Sequence, residues 1–476
     1  MNYCFFLVTN SVSHIQNFCS RTIFRLSSYL RILKYGEASS TAILDIMQHE
    51  KANITRPQLN LDNSIILVSD LRPQLLVAAF KIARGSRNVR IIASNSIIRA
   101  DYGDNVNFFL RLLLLAALRI SRRASIVPNS HSVKLDDSDL LPVLSSLVSI
   151  TCNANASQST HPLLFNRFYE IALGCKSIAV DHLSSSPFSN IIVFNGRTAG
   201  SYFLAKTARN NLLPLYFTEF GRGFNGFRFF DESPHSPGNT AREVIRIYEK
   251  LMQINPFLIQ SILRNSEAYI NEKLSNVFAL DYNKDSCQFF DVIIFAGSDY
   301  EYIHTDPSIT GLNWSSNLEL AKFAFDLYPD LRHCLRLHPN SINSDQDLHS
   351  HSEAIMRLAR EQCIDLTVIH DPSISSYDLI KNTLHVVVQY STIAIDSIFL
   401  GVNPVFQTKE CDSSLMLDYA MNFIPGNDFT VAQKLAALCQ LQEFAYLVPF
   451  NYLERSFARM VFLSNLLLNK ILPAGK

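Results

Sequence analysis

The stretch Leu384-His-Val-Val-Val-Gln-Tyr-Ser-Thr-Ile-Ala-Ile-Asp-Ser-Ile-Phe-Leu400 runs from an apolar, β-branched segment into a helical pattern, with two hydroxyl residues at the junction. Read as a strand over Leu384 to Val388 and a helix from Ile393 to Leu400, it makes an anion site of Ser391 and Thr392. The free N–H groups of a first helical turn, the helix dipole and two hydroxyls converge there. Open α/β sheets bind ligands at such places, outside the carboxyl ends of their strands. Asp396 follows Thr392 by one turn on the same face, about 6 Å of rise. That spacing fits a phosphate at the helix end and ribose hydroxyls donating to the carboxylate.

The same rhythm recurs on either side. Asp291 to Phe295, His333 to Leu337, Leu366 to Ile369 and Pro404 to Phe406 read as strands, and Asn317 to Tyr328, Ser352 to Cys363 and Tyr377 to Lys381 as helices between them. Together they predict a complete Rossmann-like domain. Within it, Leu335-Arg-Leu-His-Pro-Asn340 ends a strand at a proline that cannot continue the ladder, which presents His338 at the C-terminal rim. Arg336 shares that face and is expected to pair with a carboxylate or to add a second cation near a phosphate.

The first half alternates in the same way. Ser64 to Val68, a helical Pro73 to Arg84 and Val89 to Ala93 make a βαβ unit. Ser125 to Val127, Leu147 to Ile150, Asn190 to Phe194 and Leu213 to Phe217 follow, with crossover helices such as Leu163 to Leu173 and Ala199 to Asn210. This predicts a second parallel sheet covered on both faces. The middle, Ser236 to Asp285, shows no strand pattern and reads as helices over Ala241 to Met252 and Ile259 to Leu274. The expected organisation is an N-terminal Rossmann-like domain over 1–240, a helical connection over 241–285, a second Rossmann-like domain over 286–430 and C-terminal helices over 431–476. The fold class is α/β, two doubly wound domains facing a cleft (GT-B), with C-terminal helices.

Composition narrows the function. A chain of 476 residues exceeds one ordinary core, and 48% hydrophobic against 18% charged residues supplies buried cores rather than disorder. Forty-two basic residues balance 42 acidic ones, so no net field holds nucleic acid or an anionic membrane. Nine cysteines stand singly, with no CxxC pair, which argues against zinc fingers and disulfide frameworks and fits a reducing cytosol. The opening Met-Asn-Tyr-Cys-Phe-Phe-Leu-Val lacks a cationic leader, and its apolar run is too short for a signal peptide. The greasiest segment, Phe108 to Ile120, is interrupted by Arg111 and Arg119 and falls short of the roughly 20 residues of a span. It reads as a core helix, the alternative being a surface that docks on a membrane or partner. The expected location is the cytoplasm, with a peripheral contact to the inner membrane or to a partner complex.

Gly221-Arg-Gly-Phe-Asn-Gly226 satisfies G-x-G-x-x-G, but Phe227-Arg-Phe-Phe-Asp-Glu-Ser-Pro234 cannot open the helix that dinucleotide binding needs. Asp231, Glu232 and His235 are three mixed ligands on one loop, short of a metal signature. The site is expected to need no metal and no resident cofactor.

Four strings carry a resemblance: Ile294-Phe-Ala-Gly-Ser-Asp-Tyr-Glu301, Trp314, Leu335 to Asn340, and Ser391-Thr-Ile-Ala-Ile-Asp-Ser-Ile-Phe-Leu-Gly-Val-Asn-Pro404. In these the chain resembles bacterial capsule and surface polysaccharide biosynthesis proteins of the GT-B type. Their His-Pro and Ser-Ser/Thr motifs are similar to those of bacterial sialyltransferases and Kdo transferases, which use CMP-activated sugars. The resemblance covers roughly residues 190 to 410. It departs at Asp396, where such proteins carry Glu, and at Gly401-Val-Asn-Pro404, where they carry Gly-Lys-Pro.

The resemblance implies a donor site of Ser298, Arg336, His338, Pro339, Ser391, Thr392 and Asp396. On the acceptor side it includes an Asn-Gly-Arg, here Asn195, Gly196 and Arg197, followed by a Glu after the next strand, here Glu219. Glu219 could take the proton of an acceptor hydroxyl in an inverting transfer, or instead form an ion pair with Arg197 or Arg222. Asp299 and Glu301 are alternative acids or acceptor contacts, and His338 is the second catalytic candidate. The expected activity is transfer of a sugar from a CMP- or CDP-linked donor to a surface polysaccharide or glycolipid. The alternatives are a nucleotide-sugar epimerase, a glycerophosphate-type polymerase, or a catalytically silent scaffold of glycan assembly.

Overall fold

The computed structural model describes residues 64–67, 90–94, 124–127, 162–163, 169, 176, 190–196, 199–220, 226–278, 289–297, 306–338, 345–371, 374–426 and 428–449. The expected strand Leu147 to Ile150, the helix Pro73 to Arg84 and the apolar segment Phe108 to Ile120 lie outside them. No helix among the described residues is long and apolar enough to cross a membrane.

The first sheet begins with β1 (Ser64–Leu67), β2 (Arg90–Ser94), β3 (Ala124–Val127), β4 (Asn190–Phe194), β5 (Leu215–Phe220) and β6 (Gly226–Phe230). Every residue of β4 is buried, as a central parallel strand covered on both faces requires. The second sheet comprises β7 (Phe290–Phe295), β8 (His333–Arg336), β9 (Leu366–Ile369), β10 (Thr383–Val388) and β11 (Pro404–Phe406). A last strand, β12 (Leu447–Pro449), joins the first sheet. Spatial order is β3-β2-β1-β4-β5-β6-β12 in the first sheet and β9-β8-β7-β10-β11 in the second. Both follow the doubly wound pattern in which the chain starts centrally and reverses direction once. All pairs are parallel except those of β6 with β5 and of β12 with β6. The molecule is α/β with two Rossmann-like domains.

Strands β6 and β12 are the two that sequence pattern missed. Gly-Phe-Arg-Phe-Phe lacks clean alternation, because both faces of β6 are largely covered. Leu447-Val-Pro449 is too short to announce itself.

Helices among the described residues include α1 (Ala199–Asn210), α2 (Asn239–Ile254), α3 (Pro256–Phe278), α4 (Pro307–Thr310), α5 (Asn317–Leu327), α6 (Asp345–Glu361), α7 (Ser376–Lys381), α8 (Ile393–Phe399), α9 (Asp412–Asn422) and α10 (Val431–Gln442). In α2, Val244, Ile247, Tyr248 and Leu251 fall on one face and are buried. The helix starts after Gly238 at φ 70°, with no side-chain cap of its own. A Cβ on Gly238 would stand 2.4 Å from Leu415 Cδ1, so α9 packs directly on that backbone. The cap comes from α9 as well: the Asp412 carboxylate accepts from Ala241 N–H at 2.8 Å.

The largest core joins Ile191, Val193, Phe217 and Phe230 of the first sheet to α2, α3, α9 and α10, and also takes Ile395, Ile398 and Phe399 from α8. Each fully buried side chain of this size contributes about 1.5–3 kcal/mol. The second sheet has a core on each face. Val292, Ile294 and Leu335 point toward α5 and α6, while Ile293, Phe295, Cys334, Val386 and Val388 point toward α7 and Ala394.

A strap from the second domain ties the two together. Between β7 and α5, Ile309 is 1% exposed and belongs to the first domain's core. Asp306 accepts from Tyr202 Oη on α1 at 3.0 Å, and Arg209 donates to the Ile309 carbonyl at 3.2 Å. Burial alone would raise the Asp306 pKa, but the bonds from Ser308 and Tyr202 and the nearby Lys206 hold it below the usual carboxylate value.

Candidate functional site

Strands β10, β7 and β8 are adjacent and parallel, so Ser391, Gly297 and His338 leave the same edge of the second sheet. Between β7 and β10 the order reverses, which is the switch point where doubly wound sheets open a crevice. Ser391 Oγ accepts from Ile393 N–H at 3.3 Å, a local turn that leads into the first residue of α8. Thr392 has helical φ and ψ, makes no side-chain cap bond and is exposed. His338 is half-buried just past the end of β8.

The floor of this edge is built by the segment 313–317. Trp314 stacks on Tyr390 with centroids 5.8 Å apart and an interplanar angle of 22°. A Cβ on Gly297 would lie 2.4 Å from Trp314 Cη2, so only glycine lets the indole cover the end of β7. Asn317 clamps both backbone groups of Gly297, accepting from N–H at 2.9 Å and donating to the carbonyl at 3.1 Å. With its amide set by the hydrogen-bond network, Gln389 donates to the Ser315 carbonyl at 2.9 Å and accepts from its N–H at 2.8 Å. Tyr390 Oη donates to the Asn313 carbonyl at 3.3 Å, and burial raises the phenol's pKa. Asn317, Gln389 and Tyr390 were not singled out by sequence. Their signal is position, since each stands at a strand's carboxyl end or faces one.

Two donor-side candidates take different partners from those expected. Arg336 is 3% exposed, and its guanidinium donates to the carbonyls of Asp371 at 2.9 Å and Ile374 at 3.0 Å. Alternation puts it on the Cys334 face, toward α7, so the cation braces the β9–α7 loop. Asp396 is 7% exposed; it accepts from Tyr377 Oη at 2.9 Å and pairs with Lys273 of α3 at 2.8 Å. Its carboxylate is therefore engaged inside the protein, with partners on α7 and α3.

On the first sheet, β4 and β5 are adjacent and bring Asn195 to Glu219. Glu219 lies within β5, opposite Arg228, rather than beyond the strand's end. Asn195 Nδ2 donates to Glu219 Oε1 at 3.4 Å, and His235 Nε2 approaches the same oxygen at 3.8 Å. Gly196 turns at φ 85°, and a Cβ there would meet Phe217 at 3.0 Å and Ile309 at 3.1 Å, so the strap closes over this end of β4. Arg197, Ser298, Asp299, Glu301 and Pro339 lie outside the described residues. Gly226–Phe230 forms β6 and opens no helix, which removes the dinucleotide fingerprint. Among the described residues, no three of His, Cys, Asp and Glu converge as a metal site.

No protein-family model and no curated protein matches this sequence. Among solved structures, the chain is similar to KpsC from Thermosulfurimonas dismutans, a beta Kdo 2,7 transferase, with a TM-score of 0.32 and 16% identity over 60% of this chain and 88% of that one. A beta Kdo 2,4 transferase of KpsC from the same organism gives 0.29 and 14% over 58% and 87%. The UDP-GlcNAc 2-epimerase of Methanocaldococcus jannaschii, in complex with UDP-GlcNAc and UDP, gives 0.26 and 13% over 85% and 99%.

Proposed function

We propose that the protein is a metal-independent glycosyltransferase that moves a sugar from a nucleotide-linked donor, CMP- or CDP-linked, to a glycan or glycolipid acceptor of surface polysaccharide synthesis. The observation that carries the reading is the pairing of two polar edges. Ser391, Thr392 and His338 leave the same edge of the second sheet, from β10 and β8 on either side of β7, while Asn195 and Glu219 meet at neighbouring strands of the first. In the proposed step the acceptor O–H bond breaks and its proton passes to the Glu219 carboxylate. The oxygen's electron pair forms the new bond to the anomeric carbon, and the bond from that carbon to the donor phosphate breaks with its pair left on the phosphate. Ser391, Thr392, the first-turn N–H groups of α8 and His338 would hold the departing charge. We place the reaction in the cytoplasm, with a lipid-borne acceptor presented at the inner membrane.

Thermal shift against CMP, CDP, UDP, GDP and NAD tests the donor half, because a ligand that binds only the folded state stabilises it by about 2.7 kcal/mol at 100-fold Kd. Stabilisation by one pyrimidine nucleotide, lost in His338→Ala and Ser391→Ala and retained in EDTA, is expected. No shift with any nucleotide would favour a silent scaffold. Nucleotide release from the sugar donor without any acceptor would mark an epimerase-type enzyme.

A further inference from the structure

Beside the Glu219 carboxylate stands a histidine that the transfer step above does not use. His235 sits on the turn between β6 and α2, and its Nε2 lies 3.8 Å from Glu219 Oε1, with side chains 18% and 31% exposed respectively. That turn is anchored to the strand that carries Asn195. Ser233 Oγ donates to the Asn195 carbonyl at 3.1 Å and accepts from His235 N–H at 3.3 Å. Asn239 Nδ2 donates to the Ser233 carbonyl at 3.4 Å, and Ser236 N–H bonds the same carbonyl at 2.8 Å. The second domain braces the turn from outside, since a Cβ on Gly311 would fall 2.5 Å from Ser236 Oγ. Three elements therefore deliver one imidazole to one carboxylate.

We propose that His235 is a positioning residue for Glu219, a role that rests on the reading of Glu219 as the acceptor-side base. Asn195 and His235 both approach Oε1, which restricts how the carboxylate can turn. With a proton on Nε2 the imidazole would donate to Oε1 once the gap between them closes. The 3.8 Å separation is longer than a hydrogen bond, as separations in substrate-free sites often are, and a small side-chain rotation closes it when an acceptor arrives. A carboxylate held this way presents its proton-accepting geometry without waiting for rotamer search. Misplacement by about 1 Å costs roughly 100-fold in such reactions. The strap through Gly311 makes the same turn sensitive to how the second domain sits, so the base is aligned only when the two domains are packed.

Two measurements on the full chain test this. In the first, ring-nitrogen NMR of imidazole-labelled protein follows the His235 signal, assigned by its loss in His235→Gln. Its ring proton is expected to be detectable in the wild type and to shift or exchange away in Glu219→Ala, but not in Glu232→Ala. An unchanged signal in Glu219→Ala overturns the pairing, whatever the activity. The second measures nucleotide release from CMP- and UDP-linked sugars in the presence of capsule-type oligosaccharide. His235→Ala should lower kcat roughly 10- to 100-fold with the nucleotide's thermal shift unchanged, His235→Gln should recover part of the loss, and Glu219→Gln with His235→Ala should lose no more than Glu219→Gln alone. Full turnover by Glu219→Gln removes the base reading itself. Full turnover by His235→Ala beside a dead Glu219→Gln removes only the role of His235.

Discussion

His333 is a histidine whose neutral form the fold favours. It is fully buried in β8, Nδ1 lies 2.8 Å from the Leu331 carbonyl, and the ring meets Phe325 edge-on at 5.1 Å. Burial lowers its pKa below the ordinary 6.5. The unfolded chain therefore binds a proton at about pH 6.5 that the folded chain refuses, so stability falls as pH drops through that value, by up to about 1.4 kcal/mol per pH unit. Above it the group contributes no slope. Urea midpoints between pH 7.5 and 5.5 should decline more steeply in the wild type than in His333→Asn, whose amide can keep the bond to Leu331. Asp396 poses the complementary case, a carboxylate paired with Lys273 at 2.8 Å. Asp396→Ala is expected to cost about 2–3 kcal/mol, below the range for a fully buried pair because Lys273 still reaches water. Asp396→Leu with Lys273→Met should recover most of it. Nucleotide affinity that falls further than stability would restore the ribose contact.

At the scale of elements, α2 shows a helix whose start is completed by another. Asp412→Ala, which removes the acceptor for Ala241 N–H, should destabilise by about 0.5–2 kcal/mol in urea unfolding. Asp412→Asn should cost less, since burial already raises the carboxyl's pKa and disfavours its charge. The strands of the second sheet were legible because each is a short β-branched or apolar run with a turn at its carboxyl end, and β10 leading into Ser391 is the clearest. The helices of the connection were legible from their spacing. The same pattern foretold where His338 and Ser391 stand, just past the ends of β8 and β10. What Arg336 and Asp396 do could not be read in this way. Their partners are carbonyls of a loop 35 and 38 residues on and a lysine on α3, and only the packed fold supplies those. His235 was likewise visible as a titratable group but not as a neighbour of Glu219.

For the whole molecule, the decisive contact is Ile309, a second-domain residue in the first domain's core. Ile309→Ala should cost about 2–4 kcal/mol and, by freeing the strap, divide calorimetric unfolding into two steps. A single unshifted transition would show that the strap couples nothing. The shared core also has a consequence for synthesis. Strands β7 to β11 all lie between residues 290 and 406, whereas α10 and β12, which finish the first sheet and its core, come later in the chain. The second domain is thus an insertion, and on the ribosome it can close before the domain that was begun first. Until Pro449 emerges, β6 waits as an unsealed edge, and the earlier half must be kept from pairing with strangers.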